Sequence, residues 1–155
     1  MLDVWQGQEL LGTYKNNRSP GYLDAIGGAV CELVTNIPHG VLCFFPSYTL
    51  LDSAHARWKE TGLWSEILQH KYIMKEPKLA KEFDDTLKEY EELIAKSKEG
   101  TGKGVLLCAV CRGKVSEGMD FRDEQARGIV VVSIPYPNLK DLQVCAALSV
   151  CCVRR

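Results

Sequence analysis

The sequence predicts a single domain of the α/β class, with helices packed on a parallel or mostly parallel sheet. Three short apolar runs are rich in strand-forming residues and lack polar alternation, as strands buried on both faces do: residues 41–45, 105–110 and 129–134. Segments with apolar residues at helical spacing alternate with these runs: residues 22–35, 49–61 and 79–98. Because chains that alternate strands and helices form parallel sheets covered by helices, this order predicts the α/β class.

The first part of the chain predicts a loop, a helix and a strand in that order. Residues 1–20 show little periodicity and run into a cluster of turn-forming residues, so we expect a leading loop. The helix predicted over residues 22–35 ends before Pro38 and Gly40, which do not continue a helix. Gly40 then precedes the apolar run 41–45, which predicts the first buried strand.

The helix predicted over residues 49–61 carries signals at both ends. Thr49 and Asp52 have the spacing of an N-terminal capping box, and Gly62 stands at the stop. Next comes a short candidate strand, residues 72–74, which ends before Glu76 and Pro77. The last helix, residues 79–98, has an apolar stripe and a solvated charged face; the stripe consists of Leu79, Phe83, Leu87, Tyr90 and Ile94.

Composition is that of an intracellular globular domain. The 155 residues are 46% hydrophobic and 25% charged, and the formal net charge is -1. No apolar run approaches the roughly 20 residues that span a bilayer, and the first residues lack the pattern of a signal peptide. With no global basic field, any binding of nucleic acid has to be local, at one edge of the domain.

The seven cysteines do not indicate disulfide bonds. Three lie inside apolar patterns, where a thiol acts as a small buried hydrophobe: Cys31, Cys43 and Cys108. Cys108 and Cys111 form a C-x-x-C, but no second pair stands at zinc-finger or ribbon spacing. Core packing is therefore preferred over zinc binding or redox chemistry.

A Gly113-Lys114 pair follows the apolar run 105–110 and invites comparison with a phosphate-binding P-loop. The spacing does not fit, because Cys108 occupies the position of the first glycine and Val115 that of the hydroxyl residue that holds magnesium. The segment therefore needs another explanation.

Polar and flexible residues gather where the predicted strands end, which is where open α/β sheets bind ligands. The three segments are residues 46–48, 111–120 and 135–138. Arg112 and Lys114 are candidates for phosphate contact, and Gly113 and Gly118 allow the backbone to approach a ligand closely. Ser47 and Ser116 are candidate hydroxyl donors, and Glu117 and Asp120 suit contact with a ribose or an arginine. Each also has a plain structural interpretation: a turn glycine, a helix-starting serine or a solvated acid.

Two segments resemble helicase motifs. Residues 41–48 (VLCFFPSY) resemble motif IV, and residues 109–121 (AVCRGKVSEGMDF) resemble motif V, of the XPD-like, iron–sulfur superfamily 2 DNA helicases. Residues 58–64, 76–77 and 134–144 resemble most the Fanconi anaemia group J branch, with the telomere-length-regulating branch second.

The resemblance spans residues 11–144 and implies most of a RecA-like (P-loop NTPase-type) second motor domain. It implies an ATP-dependent 5′ to 3′ DNA helicase that acts in the nucleus, in DNA repair and genome maintenance, with DNA-repair proteins as further partners and no membrane. By position in the motifs, the residues implied to contact single-stranded DNA are Ser47, Tyr48, Arg112, Gly113, Lys114 and Ser116. Those implied to couple nucleotide state to DNA grip are Glu117, Gly118 and Asp120.

The sequence also departs from the family pattern. It contains no Walker A motif, DEAH-type Walker B motif or four-cysteine cluster, so ATP, Mg²⁺ and the iron–sulfur cluster are implied for a parent protein, together with a first motor domain. After Val144 the motif Q-x-x-G-R-x-x-R is replaced by residues 145–155 (CAALSVCCVRR), which we expect to be a truncation or a misread gene model.

We therefore expect a leading segment 1–20, a partial motor domain 21–144, truncated at its C-terminus, and an atypical tail 145–155. The isolated chain is expected to hydrolyse no ATP, because phosphate and magnesium contacts come from the first motor domain. The alternative is a non-catalytic RecA-like module that binds nucleic acid or a partner. Coding sequence for Q-x-x-G-R-x-x-R beyond Val144 would favour the helicase.

Overall fold

The computed structural model describes residues 19–133 and two short antiparallel strands, β1 (Val4–Trp5) and β2 (Gln8–Glu9). The main helices and strands follow in the order α1 (Pro20–Asn36), β3 (Gly40–Phe45), α2 (Tyr48–Thr61), α3 (Leu63–His70), β4 (Lys71–Lys75), α4 (Phe83–Lys98), β5 (Gly104–Val110), α5 (Lys114–Gly118) and β6 (Gly128–Val131). Among the described residues, no helix is long and apolar enough to cross a membrane.

Four strands form one parallel sheet in the order β4-β5-β3-β6. In the described part of the chain, β3 and β5 are the central pair, with Gly40 opposite Val105 and Phe45 opposite Val110. All seven residues of β5 are buried, and β3 is buried except for the half-buried Phe44. The parallel sheet flanked by helices confirms the predicted α/β class.

The core lies on both faces of the sheet, because side chains of a strand point alternately to opposite faces. On one face, Leu106, Cys108 and Val110 of β5 pack with α1, α2 and α3. On the other face, Val105, Leu107 and Ala109 pack with side chains of α4, among them Tyr90 and Ile94. The continuous apolar runs of the central strands thus reflect burial on two sides.

The start of α2 differs from the predicted capping box of Thr49 and Asp52. Ser47 is the N-cap, and its hydroxyl oxygen accepts a hydrogen bond of 3.3 Å from the Leu50 amide. Asp52 instead pairs with Lys75, the last residue of β4, and with Lys78, so its carboxylate is engaged elsewhere. The physical reason is that Ser47 has extended backbone angles directly before the first helical residue, as an N-cap requires.

Three other elements differ from the prediction. The helix α3 was not predicted, and α4 begins at Phe83, after a 3₁₀ turn at Ala80–Glu82. Leu79 therefore lies outside the apolar stripe, in extended backbone and 61% exposed. The short helix α5 occupies a segment predicted as loop.

The last described strand, β6, is also less buried than predicted. Within the part of the chain that the structure describes, Ile129 and Val131 are exposed, because only the opposite face of β6, with Val130, packs on the core. The strand was predicted to continue to Ile134, and that residue and the segment 135–138 lie outside the described part of the chain.

Candidate functional site

The two segments that resemble motifs IV and V, residues 41–48 and 109–121, meet at the carboxyl edge of the sheet. Phe45 and Val110 are register partners at the ends of β3 and β5, and the Cys111 amide donates to the Phe45 carbonyl at 2.8 Å. The two segments that follow these strands therefore begin side by side, as predicted for residues 46–48 and 111–120. The third predicted segment, 135–138, lies outside the described residues.

The chain after β5 makes a tight turn before entering α5. The Gly113 amide donates to the Val110 carbonyl at 2.8 Å, and Arg112 between them adopts a left-handed φ of 67°. Such a φ is unfavourable for a residue with a Cβ and persists only where surrounding contacts fix it. Since a P-loop is a longer glycine-rich loop, the turn geometry supports the rejection of that motif.

Both cationic side chains of this turn reach the surface. Arg112 and Lys114 are exposed, and the Lys114 ammonium lies 5.4 Å from the centre of the Phe83 ring. An ammonium over an aromatic face is attracted by the ring quadrupole, so this contact draws Lys114 towards the start of α4. The two side chains are thus available to phosphate groups at this edge.

The segment that resembles motif IV contributes a hydroxyl and an aromatic ring to the same edge. Ser47 is exposed and already accepts the capping hydrogen bond, so its plain structural role is confirmed. Tyr48 is half-buried, with the Lys78 ammonium 5.7 Å from its ring centre. Burial raises the pKa of Tyr48, the nearby Glu76 carboxylate raises it further, and Lys78 opposes both effects.

Two lysines, one at the end of β4 and one shortly after it, widen the cationic surface and were missed in the sequence. Lys75 forms an ion pair with Asp52, and Lys78 pairs with the same carboxylate at 3.0 Å. Hydrogen bonds from Lys75 and then Lys78 lower the pKa of Asp52, which stays ionised and offsets part of the positive charge. No local pattern in the sequence indicates that β4 ends next to α2.

A buried carboxylate lies beneath the motif V turn. Glu76 is 1% exposed, and its two oxygens accept hydrogen bonds from the amides of Val110 at 2.8 Å and Val115 at 3.0 Å. From the sequence, Glu76 marked the end of the strand and belonged to the resemblance at residues 76–77, but it was assigned no role in a site. A glutamate immediately after a strand and before a proline was the available signal, but it is a weak one.

The remaining candidates lie on α5 and directly after it. The Ser116 hydroxyl donates to the Gly113 carbonyl at 2.9 Å, and the Glu117 amide donates to the same oxygen at 3.2 Å. Glu117 and Asp120 are exposed, and Gly118 is the last residue of α5. This short helix places the two acids beyond the turn that carries Arg112, at the same edge of the sheet.

Among the described cysteines, Cys31, Cys43 and Cys108 are buried as expected of core residues, and Cys111 is half-buried. Cys43 and Cys108 are register partners in the central strands, and the hydrogen bond between them, followed by burial, raises the pKa of Cys43. Burial also raises the pKa of Cys111, which disfavours a reactive thiolate. Over residues 19–133 no three ligating side chains cluster, so this region does not fit a zinc ion or an iron–sulfur cluster.

The family model for the helicase C-terminal domain matches residues 30–151, which is more than half of the chain. The chain belongs to the helicase C-terminal domain family. In this helicase domain, the segments that resemble motifs IV and V lie next to each other at the sheet edge.

Relatives of this helicase domain include a Fanconi anemia protein homolog and two telomere helicase homologs. A Fanconi anemia group J protein homolog from Gallus gallus is 42% identical over 140 residues. Homologs of regulator of telomere elongation helicase 1 from Aedes aegypti and Culex quinquefasciatus are 40% and 41% identical over 137 residues. The resemblance to XPD-like helicases is thereby confirmed.

The matches cover 88% to 89% of this chain but only 11% to 14% of the length of these relatives. The helicase domain thus corresponds to a small part of each relative. The activities of the relatives are those of much longer proteins, and the matches alone do not assign them to this chain.

Proposed function

We propose that this chain supplies part of the second motor domain of an ATP-dependent 5′ to 3′ DNA helicase, in which residues 21–144 form the motor unit. The names of its relatives, which refer to Fanconi anemia and to telomere elongation, favour a nuclear role in DNA repair and genome maintenance. Its partners would be single-stranded DNA, the first motor domain and other repair proteins.

The observation that carries the proposal is the adjacency of motifs IV and V. Exposed Arg112 and Lys114 stand on the turn after β5, and the half-buried ring of Tyr48 stands after the neighbouring strand. Cations that track phosphates, combined with an aromatic ring that stacks on bases, are the usual components of a single-strand binding surface. With a formal net charge of -1, binding depends on this local group of cations.

Coupling to nucleotide is assigned to the residues of α5 and the segment after it. Glu117, Gly118 and Asp120 follow the turn that carries Arg112 and Lys114 directly along the chain, so in this proposal α5 links the nucleotide side of the domain to the DNA side. In helicases of this class ATP and Mg²⁺ are held between two motor domains, with phosphate contacts from the first. In this proposal Glu117 and Asp120 face that nucleotide from the second domain.

The DNA contact is tested by titrating a labelled oligo(dT) with the purified chain at several salt concentrations. We expect Arg112→Ala combined with Lys114→Ala to weaken binding roughly tenfold and to reduce the salt slope by about 1.4, because two phosphate contacts are lost. The matched control, Lys88→Ala with Lys96→Ala, removes two exposed lysines of α4. Equal affinities of the wild type and the Arg112/Lys114 variant would remove both residues from the site.

A further inference from the structure

Glu76 is a buried acid whose oxygens are satisfied by backbone hydrogen bonds. It lies directly after β4 and is 1% exposed, as buried as the apolar core. A buried carboxylate is costly unless hydrogen bonds satisfy its oxygens. Both oxygens of Glu76 are satisfied by backbone amides of a different segment, those of Val110 and Val115.

The two amides flank the motif V turn. Val110 is the last residue of β5, and Val115 lies in the first turn of α5, so the turn between them carries Arg112 and Lys114. The Glu76 backbone is itself fixed to β5, because its amide donates to the Cys108 carbonyl at 2.8 Å. One carboxylate anchored on the sheet thus holds both ends of the turn.

Gly113 shows how closely the turn packs on this carboxylate. A Cβ added at Gly113 would lie 2.5 Å from each Glu76 oxygen. Its φ of -83° and ψ of 177° are open to any residue, so the close approach and not the backbone conformation requires glycine. Because Gly113 is the N-cap of α5 and has no side chain, Glu76 supplies the acceptor that a capping residue would otherwise provide.

We infer that Glu76 is a positioning residue for DNA binding: its carboxylate holds the motif V turn in the shape that presents Arg112 and Lys114 to the strand. The inference rests on the proposed function. The left-handed φ of Arg112 is the conformation that these two hydrogen bonds maintain. Glu76 acts through the turn and does not itself touch DNA.

The substitution Glu76→Gln gives a test in which simple charge and positioning predict opposite results. An uncharged residue removes a negative charge beside a DNA surface, which by itself strengthens binding. The glutamine amide, however, has only one acceptor oxygen, so one of the two turn amides loses its partner. We expect binding of labelled oligo(dT) to weaken about fivefold, because a charged hydrogen bond is lost.

The matched control is Glu99→Gln, which removes the same charge at an exposed position after α4. It should bind the oligonucleotide as well as or slightly better than the wild type. All variants are compared at a temperature where circular dichroism shows them folded, so that a loss of stability does not appear as a loss of binding.

A second variant, Gly113→Ala, displaces the turn from the other side and leaves Glu76 intact. Gly113→Ala should also weaken binding of the oligonucleotide. A third variant, Glu76→Ala, should lower the affinity less in the Gly113→Ala background than in the wild type, because removal of the carboxylate gives the added methyl group room. The salt slope of binding for Glu76→Gln and for Gly113→Ala should fall towards that of the Arg112/Lys114 double variant, although both cations are still present. A residue that only stabilises the fold would leave this slope unchanged.

The outcomes separate the two proposals. If Glu76→Gln binds like Glu99→Gln while the Arg112/Lys114 variant is weak, the positioning role of Glu76 is wrong and the DNA site stands. If the wild type does not bind, or the Arg112/Lys114 variant binds as well as the wild type, both proposals fail together. If Glu76→Gln does not fold, Gly113→Ala decides, and wild-type affinity and salt slope in that variant would overturn the inference.

Discussion

Lys71 gives a prediction about stability that can be worked out from the structure. The side chain lies at the start of β4 and is 2% exposed, and its ammonium donates to the His39 carbonyl at 2.7 Å. Burial lowers the pKa of Lys71 from the usual 10.5 to about 8, since the charged form loses its hydration. The carbonyl of His39 also accepts from the Val105 amide at 3.1 Å, so it stays paired without the lysine.

Replacing Lys71 with methionine should therefore stabilise the protein near neutral pH. Each unit by which the pKa is lowered corresponds to about 1.4 kcal/mol. Burial of the charged Lys71 therefore lowers the free energy of unfolding by about 3 kcal/mol at pH 7. Methionine is one atom shorter and apolar, so it removes this cost and leaves only a small void. We expect the free energy of unfolding to rise by about 1 to 3 kcal/mol at pH 7.

The sign of the pH dependence follows from linkage. Because the unfolded state holds the proton of Lys71 more tightly, wild-type stability rises with pH between about 8 and 10.5, and the cost is fully present below 8. The advantage of Lys71→Met should shrink from about 3 kcal/mol at most at pH 7 to about 1 kcal/mol at pH 10.

Urea unfolding of wild type and Lys71→Met at pH 7, 8, 9 and 10 measures this difference. Lys103→Met is the matched control, because Lys103 is exposed and also donates to a carbonyl, that of Leu68, at 2.9 Å. The control should follow the wild type at every pH. A difference between wild type and Lys71→Met that does not vary with pH would refute the reasoning.

Two further predictions concern the carboxyl edge. Ser47→Ala should lower the free energy of unfolding by about 1 kcal/mol, because the Leu50 amide loses its acceptor. Ser47→Thr keeps a capping hydroxyl and should retain most of the wild-type stability. Equal stability of Ser47→Ala and the wild type in urea would contradict the capping role. The purified chain should show no DNA-stimulated ATP turnover in a phosphate-release assay, because it lacks the motifs of the first motor domain. Turnover that is lost on Asp120→Ala would contradict this expectation.

Much of the fold could be predicted because its signals are local. The apolar runs 41–45 and 105–110 predicted the central strands, and their two-sided burial explains why they lack polar alternation. Gly62 marked the end of α2 through a left-handed φ of 83° that favours glycine. The start of α2 could not be settled this way, since Ser47 and Thr49 are both acceptable capping residues.

The candidate site was predicted only in part. Motif position located Ser47, Tyr48 and the motif V turn, and the structure brings these segments together at one edge. Their contact with DNA stays a prediction. Lys75, Lys78 and the short helix α5 were missed, because their significance depends on neighbours from other parts of the chain.

The sequence by itself determined the class of fold, the central strands and the family, since hydrophobic pattern and motif spacing are properties of adjacent residues. Only the tertiary structure decided what lies beneath the motif V turn. Glu76 is 34 residues from Val110 and 39 from Val115, and it reaches both amides because β4 pairs with β5. Periodicity does not encode the order of strands in a sheet, so the partner of a buried carboxylate is known only once that order is fixed.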